Sequence, residues 1–146
     1  MYPVHPLTVH LPIGLLLGNA LLTALYLRRG DPALEVSAFH CLWLGWLFAL
    51  LAVATGTIDA VRQLVATPNP RSDALGWINV HALVGIALLV VYWQAWQMRR
   101  RYPAILDDRR ARRGYLARLA IGAALVVLDG WLGGYLVYTL RLGVNA

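Results

Sequence analysis

The chain has 146 residues, of which 60% are hydrophobic and only 14% are charged, and its formal net charge is +6. So few charged side chains cannot cover the surface of a water-soluble domain of this size, which excludes an ordinary soluble enzyme. The composition predicts one all-α integral membrane domain over residues 1–146, with the lipid bilayer as its main surrounding.

Four apolar runs are long enough to cross a bilayer, which requires roughly 20 residues in a helix. Their short connections favour antiparallel neighbours and therefore an up-down four-helix bundle. Between the first two runs, Gly30-Asp31-Pro32 predicts a helix stop and a turn, with Asp31 capping the second helix. Between the second and third, a loop is expected over Ala66–Gly76, with Ser72 and Asp73 as caps. The predicted helices are Leu11–Leu27, Phe39–Ile58, Trp77–Met98 and Leu116–Leu140.

The arginines concentrate in the connections on one side of the predicted bundle. Nine arginines follow the first helix or lie between the third and fourth helices: Arg28, Arg29, Arg99, Arg100, Arg101, Arg109, Arg110, Arg112 and Arg113. Only three lie on the opposite side: Arg62, Arg71 and Arg141. The positive-inside rule then places both termini on the periplasmic side of a bacterial inner membrane. This distribution explains the positive charge without nucleic acid, which we exclude as a partner.

Ionisable residues from separate helices gather near the predicted outer side. His5 and His10 open the first helix, Asp59 and Arg62 end the second, and His81 lies near the start of the third. Such residues are rare inside membranes and usually face a bundle interior, so this cluster is the candidate site. Arg62 is three residues beyond Asp59, which favours an ion pair within one helix.

The pattern around two of these histidines favours a haem. His10 is followed at i+4 by Gly14, and His81 at i+4 by Gly85, which leaves a bare patch beneath each imidazole. Two imidazoles and such clearance suit one non-covalent haem b, with His10 and His81 as axial ligands and Arg62 near a propionate. The expected function is single-electron transfer with a redox partner protein or quinone, and not bond-making catalysis.

Two other interpretations stay open. His5, His10, His81 and Asp59 form a nitrogen-plus-carboxylate set that suits a zinc or copper ion. Five residues separate His5 from His10, about 140° around a helix, so only an irregular entry segment would bring both to one metal. Pro6 and Pro12 leave open where the helix begins. The third interpretation is a cofactor-free structural or accessory subunit, and the sequence is also compatible with a homo-oligomer.

Polar residues also occur in the middle of two predicted helices. Asp129 in the fourth helix costs roughly 2.5–3.5 kcal/mol at that depth on insertion scales, and Asn19 lies near the middle of the first. A hydrogen bond between the two would offset part of this cost, so we expect them to be partners.

Four segments together resemble the domain of unknown function 2231 family of bacterial membrane proteins: HPLTVHLPIGLLL at His5–Leu17, TGTIDAVR at Thr55–Arg62, NVHALVG at Asn79–Gly85 and GWLGGYLVYTLRLGV at Gly130–Val144. The resemblance covers nearly the whole chain. It implies a four-helix inner-membrane protein with motif positions at His5, His10, Asp59, His81 and Gly133-Gly134, and it supplies no established activity.

This chain departs from the family pattern near its end. Members often carry an acidic residue where this chain has Tyr135, and a histidine in the tail where it has Leu140-Arg141-Leu142. A metal site near the fourth helix therefore transfers poorly to this chain. The family is also similar to small cytochrome-b-like four-helix modules, and related chains accompany iron–sulfur electron carriers, which by analogy agrees with the haem interpretation.

Overall fold

A computed structural model describes residues 4–66 and 72–142, and every regular element among them is helical. The elements in chain order are α1 (His5–Thr8), α2 (His10–Arg29), α3 (Pro32–Ala66), α4 (Ser72–Arg101), α5 (Arg109–Gly134) and a π-helix (Tyr135–Thr139). Four helical stretches are long and apolar enough to span a membrane, namely His5–Arg29, Pro32–Val65, Ala74–Arg101 and Arg109–Thr139. The predicted all-helical membrane architecture is confirmed, while the side on which the termini lie stays a prediction.

Each spanning helix contacts the next, and α5 closes the ring against α2. Contacts at two levels between each consecutive pair show that the neighbours are antiparallel. The core contains the side chains Leu16, Leu42, Leu88, Tyr92 and Val126, drawn from all four spanning helices. Glycines allow the closest approaches. A Cβ atom on Gly122 would lie 2.6 Å from Cζ of Tyr92, so only a residue without a side chain lets α5 contact that ring.

The start of the first spanning helix follows from its two prolines. Pro6 lies in the first turn of α1, where a missing N–H costs nothing. Pro12 cannot donate to the carbonyl of Thr8, and the helix is interrupted at Val9 between α1 and α2. Of the two starts that the sequence left open, the structure has the earlier one.

The turn between α2 and α3 forms as the sequence predicts. Gly30 ends α2 in the left-handed region at φ 69°, and its N–H donates to the carbonyl of Tyr26. Asp31 caps α3 by accepting a hydrogen bond from the N–H of Ala33 at 2.9 Å. α2 and α3 are therefore a tight antiparallel pair.

The second connection is shorter than expected. α3 continues to Ala66 and α4 begins at Ser72, so the last part of the expected loop Ala66–Gly76 is helical. Residues 67–71 and the side chains of Ser72 and Asp73 lie outside the described part, so the expected caps stay predictions. The consequence for the site is that His81 lies nine residues inside α4, where the sequence suggested four.

The arginine-rich end is closed by the connection between α4 and α5. Ile105 and Leu106 are buried there, and Asp108 caps α5 through the N–H groups of Arg110 and Ala111. Arg99 forms an ion pair with Glu35 and donates to the carbonyl of Pro103. These contacts tie α3, α4 and the connection together at this end.

Candidate functional site

The end of α3 holds the start of the chain in place through Asp59. Oδ2 of Asp59 accepts hydrogen bonds from the backbone N–H groups of Val4 at 2.7 Å and His5 at 2.9 Å. Its Oδ1 lies 3.6 Å from Nη1 of Arg62, which confirms the predicted i,i+3 ion pair. Asp59 thus caps α1, and its carboxylate already has partners.

The imidazole of His5 is fixed against α3. Its Nδ1 lies 2.8 Å from the carbonyl oxygen of Ala52, and the ring rests on Gly56, where a Cβ atom would lie only 3.0 Å from Cε1 and Nδ1. The hydroxyl groups of Thr8 and Thr55 are 2.9 Å apart and add a second contact between α1 and α3. Because a carbonyl only accepts, Nδ1 of His5 carries the proton and Nε2 is the nitrogen left with a lone pair.

The imidazole of His81 is fixed by α5. Nδ1 of His81 lies 2.8 Å from Oδ1 of Asp129, an ion-pair distance. Both atoms are shielded from solvent, and neither makes an aligned hydrogen bond with a described residue. The other carboxylate oxygen faces Gly85, at 3.7 Å from the position of a Cβ atom. A carboxylate beside Nδ1 favours the proton on that nitrogen, so Nε2 is again the free one.

The two imidazoles meet. Their ring centroids are 5.9 Å apart, and their planes cross at 67°. Neither Nε2 atom makes a hydrogen bond with any residue of the described ranges. Gly133 lies beside the pair, since a Cβ atom there would be 3.9 Å from Nε2 of His81. The site therefore consists of two anchored histidines with unengaged Nε2 atoms and a glycine next to them.

An irregular turn of helix adjoins this glycine. The π-helix starts directly after Gly133-Gly134, and the N–H of Leu140 donates to the carbonyl of Tyr135 at 3.2 Å. The ring of Tyr135 contacts Trp77 at 4.9 Å and stacks on Trp131 at 5.9 Å between centroids. A π-turn widens a helix and is frequent at functional sites.

Several residues predicted for the site are elsewhere. His10 is exposed, and its imidazole contacts no described residue through a hydrogen bond, ion pair or ring contact. Gly14, one turn below it, has nothing within 4 Å of its Cβ position, and Gly85 is covered by Asp129 and Val53. The structure thus brings His5, and not His10, to His81. Among residues 4–66 and 72–142, no three side chains of histidine, cysteine, aspartate or glutamate are grouped to hold a metal ion.

The expected hydrogen bond between Asn19 and Asp129 is wrong. The side-chain amide of Asn19 donates to the carbonyl of Ala38 at 2.8 Å, and Asp129 is paired with His81. The error came from the depth of His81. Because α4 begins five residues earlier than predicted, His81 lies about one turn deeper, at the level of Asp129. Counting residues from the true helix end would have revealed this pair.

The fold and these polar contacts define a four-helix membrane protein with an ionisable pair inside the bundle. A family model described as "Predicted membrane protein (DUF2231)" matches residues 1–146, and the chain belongs to that family. It is also 29% identical over 114 residues to a protein-L-isoaspartate O-methyltransferase of Picosynechococcus sp. (strain ATCC 27264 / PCC 7002 / PR-6). That match includes 75% of this chain, and the chain spans about half (48%) of the relative's length. No solved structure matched the chain.

Proposed function

We propose that this protein binds one copper(I) ion between Nε2 of His5 and Nε2 of His81. The observation that carries the proposal is the anchoring of both imidazoles at Nδ1, by the carbonyl of Ala52 and by Asp129, with both Nε2 atoms unengaged by the described residues. Metal-binding histidines characteristically donate their other ring N–H to a carbonyl or carboxylate, which fixes the tautomer and the ring orientation.

The number of donors favours copper(I) over zinc. Zinc sites use three or four protein ligands in a tetrahedral arrangement, and only two anchored imidazoles meet in the described part of this site. Imidazole is a good ligand for copper. Copper(I), with a filled d shell, also forms linear complexes with two donors on opposite sides. With metal–nitrogen distances of about 2.0 Å and both Nε2 atoms directed at the ion from opposite sides, two imidazoles have ring centroids roughly 6.3 Å apart. The ring centroids of His5 and His81 are 5.9 Å apart, and the proposal requires that their Nε2 atoms face each other.

The second candidate is the haem b predicted from the sequence, now with His5 in place of His10. Haem iron requires only two axial ligands from the protein, and a pair of imidazoles supplies them. The glycines at 56 and 133 keep the surroundings of both rings free of bulk. This form would transfer single electrons with a redox partner or quinone, and Arg62 would lie near a propionate. One observation argues against haem binding. The bare patches expected at Gly14 and Gly85 do not face a common space, because Gly14 has no described neighbour within 4 Å of its Cβ position and Gly85 is covered by Asp129 and Val53.

One set of measurements on the detergent-purified full chain distinguishes these functions. Metal content is determined after loading with copper(I) under anaerobic conditions, and absorption spectra are recorded for oxidised and dithionite-reduced protein after expression with ample haem. Copper binding predicts one copper per chain and no Soret band. Haem binding predicts a Soret band with α and β bands that sharpen on reduction.

Four histidine variants locate the site. His5→Ala and His81→Ala should abolish copper binding, because each removes one of two donors. His10→Ala should leave copper bound, since His10 is exposed, and His40→Ala is the matched control at the other end of the bundle. Loss of binding in His10→Ala would contradict the assignment to His5. A folded, colourless protein without metal would refute both functions and leave the accessory-subunit interpretation.

A further inference from the structure

A groove runs between α2 and α5 on the half of the bundle toward the arginine-rich end. Its walls are formed by small and apolar side chains, among them Ala20 and Ala24 on α2 and Leu116 and Ala120 on α5. Because alanine side chains are small, the facing surfaces of α2 and α5 leave the space between them unfilled. An apolar groove on a membrane-spanning surface can receive an acyl chain.

One polar side chain lines this apolar groove. Thr23 is only 3% exposed, and its hydroxyl makes no hydrogen bond with any residue in the described ranges. The hydroxyl oxygen is not among the buried atoms of the described residues that lack a partner, so it is accessible from the groove. In a medium without water, a ligand that offers an acceptor at this depth is favoured.

Two cations lie beyond the groove residues on α2 and α5, on the side toward the arginine-rich end. Arg28 lies one turn beyond Ala24, and Arg113 lies seven residues before Ala120, so the helical repeat places them on the face of their helix that lines the groove. Both are exposed, and neither forms an ion pair with an acidic residue in the described part of the chain. Basic pockets between membrane helices bind anionic lipid headgroups.

From the groove, the unpartnered hydroxyl and the two cations, we propose that this surface is a binding site for one anionic phospholipid. The phosphate lies between Arg28 and Arg113, an ester carbonyl of the lipid accepts the hydrogen bond of Thr23, and one acyl chain fills the groove. The spacing agrees with this arrangement, since five residues along α2 place Thr23 about 7.5 Å deeper than Arg28, near the glycerol level of a lipid.

The test is native mass spectrometry of the delipidated full chain with dioleoyl phosphatidylglycerol or dioleoyl phosphatidylcholine. The proposal predicts retention of one phosphatidylglycerol in preference to phosphatidylcholine. Arg28→Gln and Arg113→Gln should each lower that preference roughly fivefold, since one basic residue near a lipid surface contributes about that factor. Arg101→Gln removes the same charge at the same end, away from the groove, and should leave the preference unchanged.

Filling the groove tests the position of the acyl chain. Ala120→Leu should lower the retention of both lipids. If circular dichroism shows that this variant does not fold, Ala24→Leu is the second variant. Equal retention of the two lipids, an equal effect of Arg101→Gln, or unchanged retention in a folded groove variant would overturn the proposal. So would a dimer that Ala120→Leu dissociates, because the groove would then hold a second copy of this chain.

Discussion

Replacing Gly122 by alanine should destabilise the bundle, although alanine is the better helix former. An added Cβ atom would lie 2.6 Å from Cζ, 2.7 Å from Cε2 and 3.1 Å from Cε1 of Tyr92. The ring of Tyr92 is fully buried at 0% exposure, so it cannot swing aside into solvent or lipid. The contact must therefore be relieved by moving α5 away from α4.

The size of the effect follows from two opposing contributions. Overpacking of a well-packed core costs typically about 1–3 kcal/mol. The change from glycine to alanine within a helix returns roughly 0.5–1 kcal/mol. We therefore expect the free energy of unfolding of Gly122→Ala to be lower than that of the unsubstituted protein by about 1 kcal/mol, and the two ranges allow a decrease of up to about 2.5 kcal/mol.

The assay is reversible unfolding with sodium dodecyl sulfate in mixed micelles, followed by circular dichroism. Gly14→Ala is the matched control, because nothing lies within 4 Å of its Cβ position, and it should be neutral or slightly stabilising. Combining Gly122→Ala with Tyr92→Leu should cost less than the sum of the two single changes, since the shorter side chain removes the clash. A Gly122→Ala protein as stable as the Gly14→Ala control would refute this account of how α4 and α5 pack.

Three further predictions concern the two ends of the bundle. Asp129→Asn should weaken copper(I) binding about 10–100-fold in a competition titration. The reason is that the negative charge beside Nδ1 of His81 is lost, although an acceptor oxygen is kept; unchanged affinity would contradict a role of that charge. Gly133→Ala should change the free energy of unfolding by no more than about 0.5 kcal/mol, because its added Cβ atom packs without a clash. The same atom would lie 3.9 Å from Nε2 of His81 and should therefore lower the affinity for copper. An unchanged affinity for copper would place the ion elsewhere. Glu35→Gln should lower the free energy of unfolding by about 3 kcal/mol. It removes the charged partner of Arg99, whose guanidinium is largely buried and keeps only the carbonyl of Pro103 as acceptor among the described residues, and an undiminished stability would show that the ion pair contributes nothing.

The fold was predictable where backbone chemistry is local. The glycine at 30 and the carboxylate of Asp31 end one helix and start the next as expected, because both signals act within a few residues. Helix lengths were underestimated, since hydropathy identifies only the apolar part. α3 begins at Pro32, seven residues before the prediction, and α5 at Arg109, where polar side chains at the membrane boundary continue the helix.

The site was predictable in part. The separation of about 140° between His5 and His10 already indicated that both do not face one centre of a regular helix, and the structure has His5 inside and His10 exposed. Which of them faces inward depends on how α1 packs on α3, through Ala52 and Gly56, and a single sequence does not contain that packing.

The charge of the site provides a further argument for a monovalent ion. Asp59 is balanced by Arg62, so Asp129 is the carboxylate left beside the two imidazoles. With both imidazoles neutral, copper(I) and Asp129 together carry no net charge, whereas zinc(II) or copper(II) would leave one positive charge inside the bundle. An unbalanced charge is costly in a membrane interior. A neutral asparagine side chain at position 129 would serve as a hydrogen-bonding contact between helices, so a carboxylate at this depth indicates a positive charge that it balances. In the copper-bound site that charge is the ion, and without copper it is the proton of an imidazolium at His81.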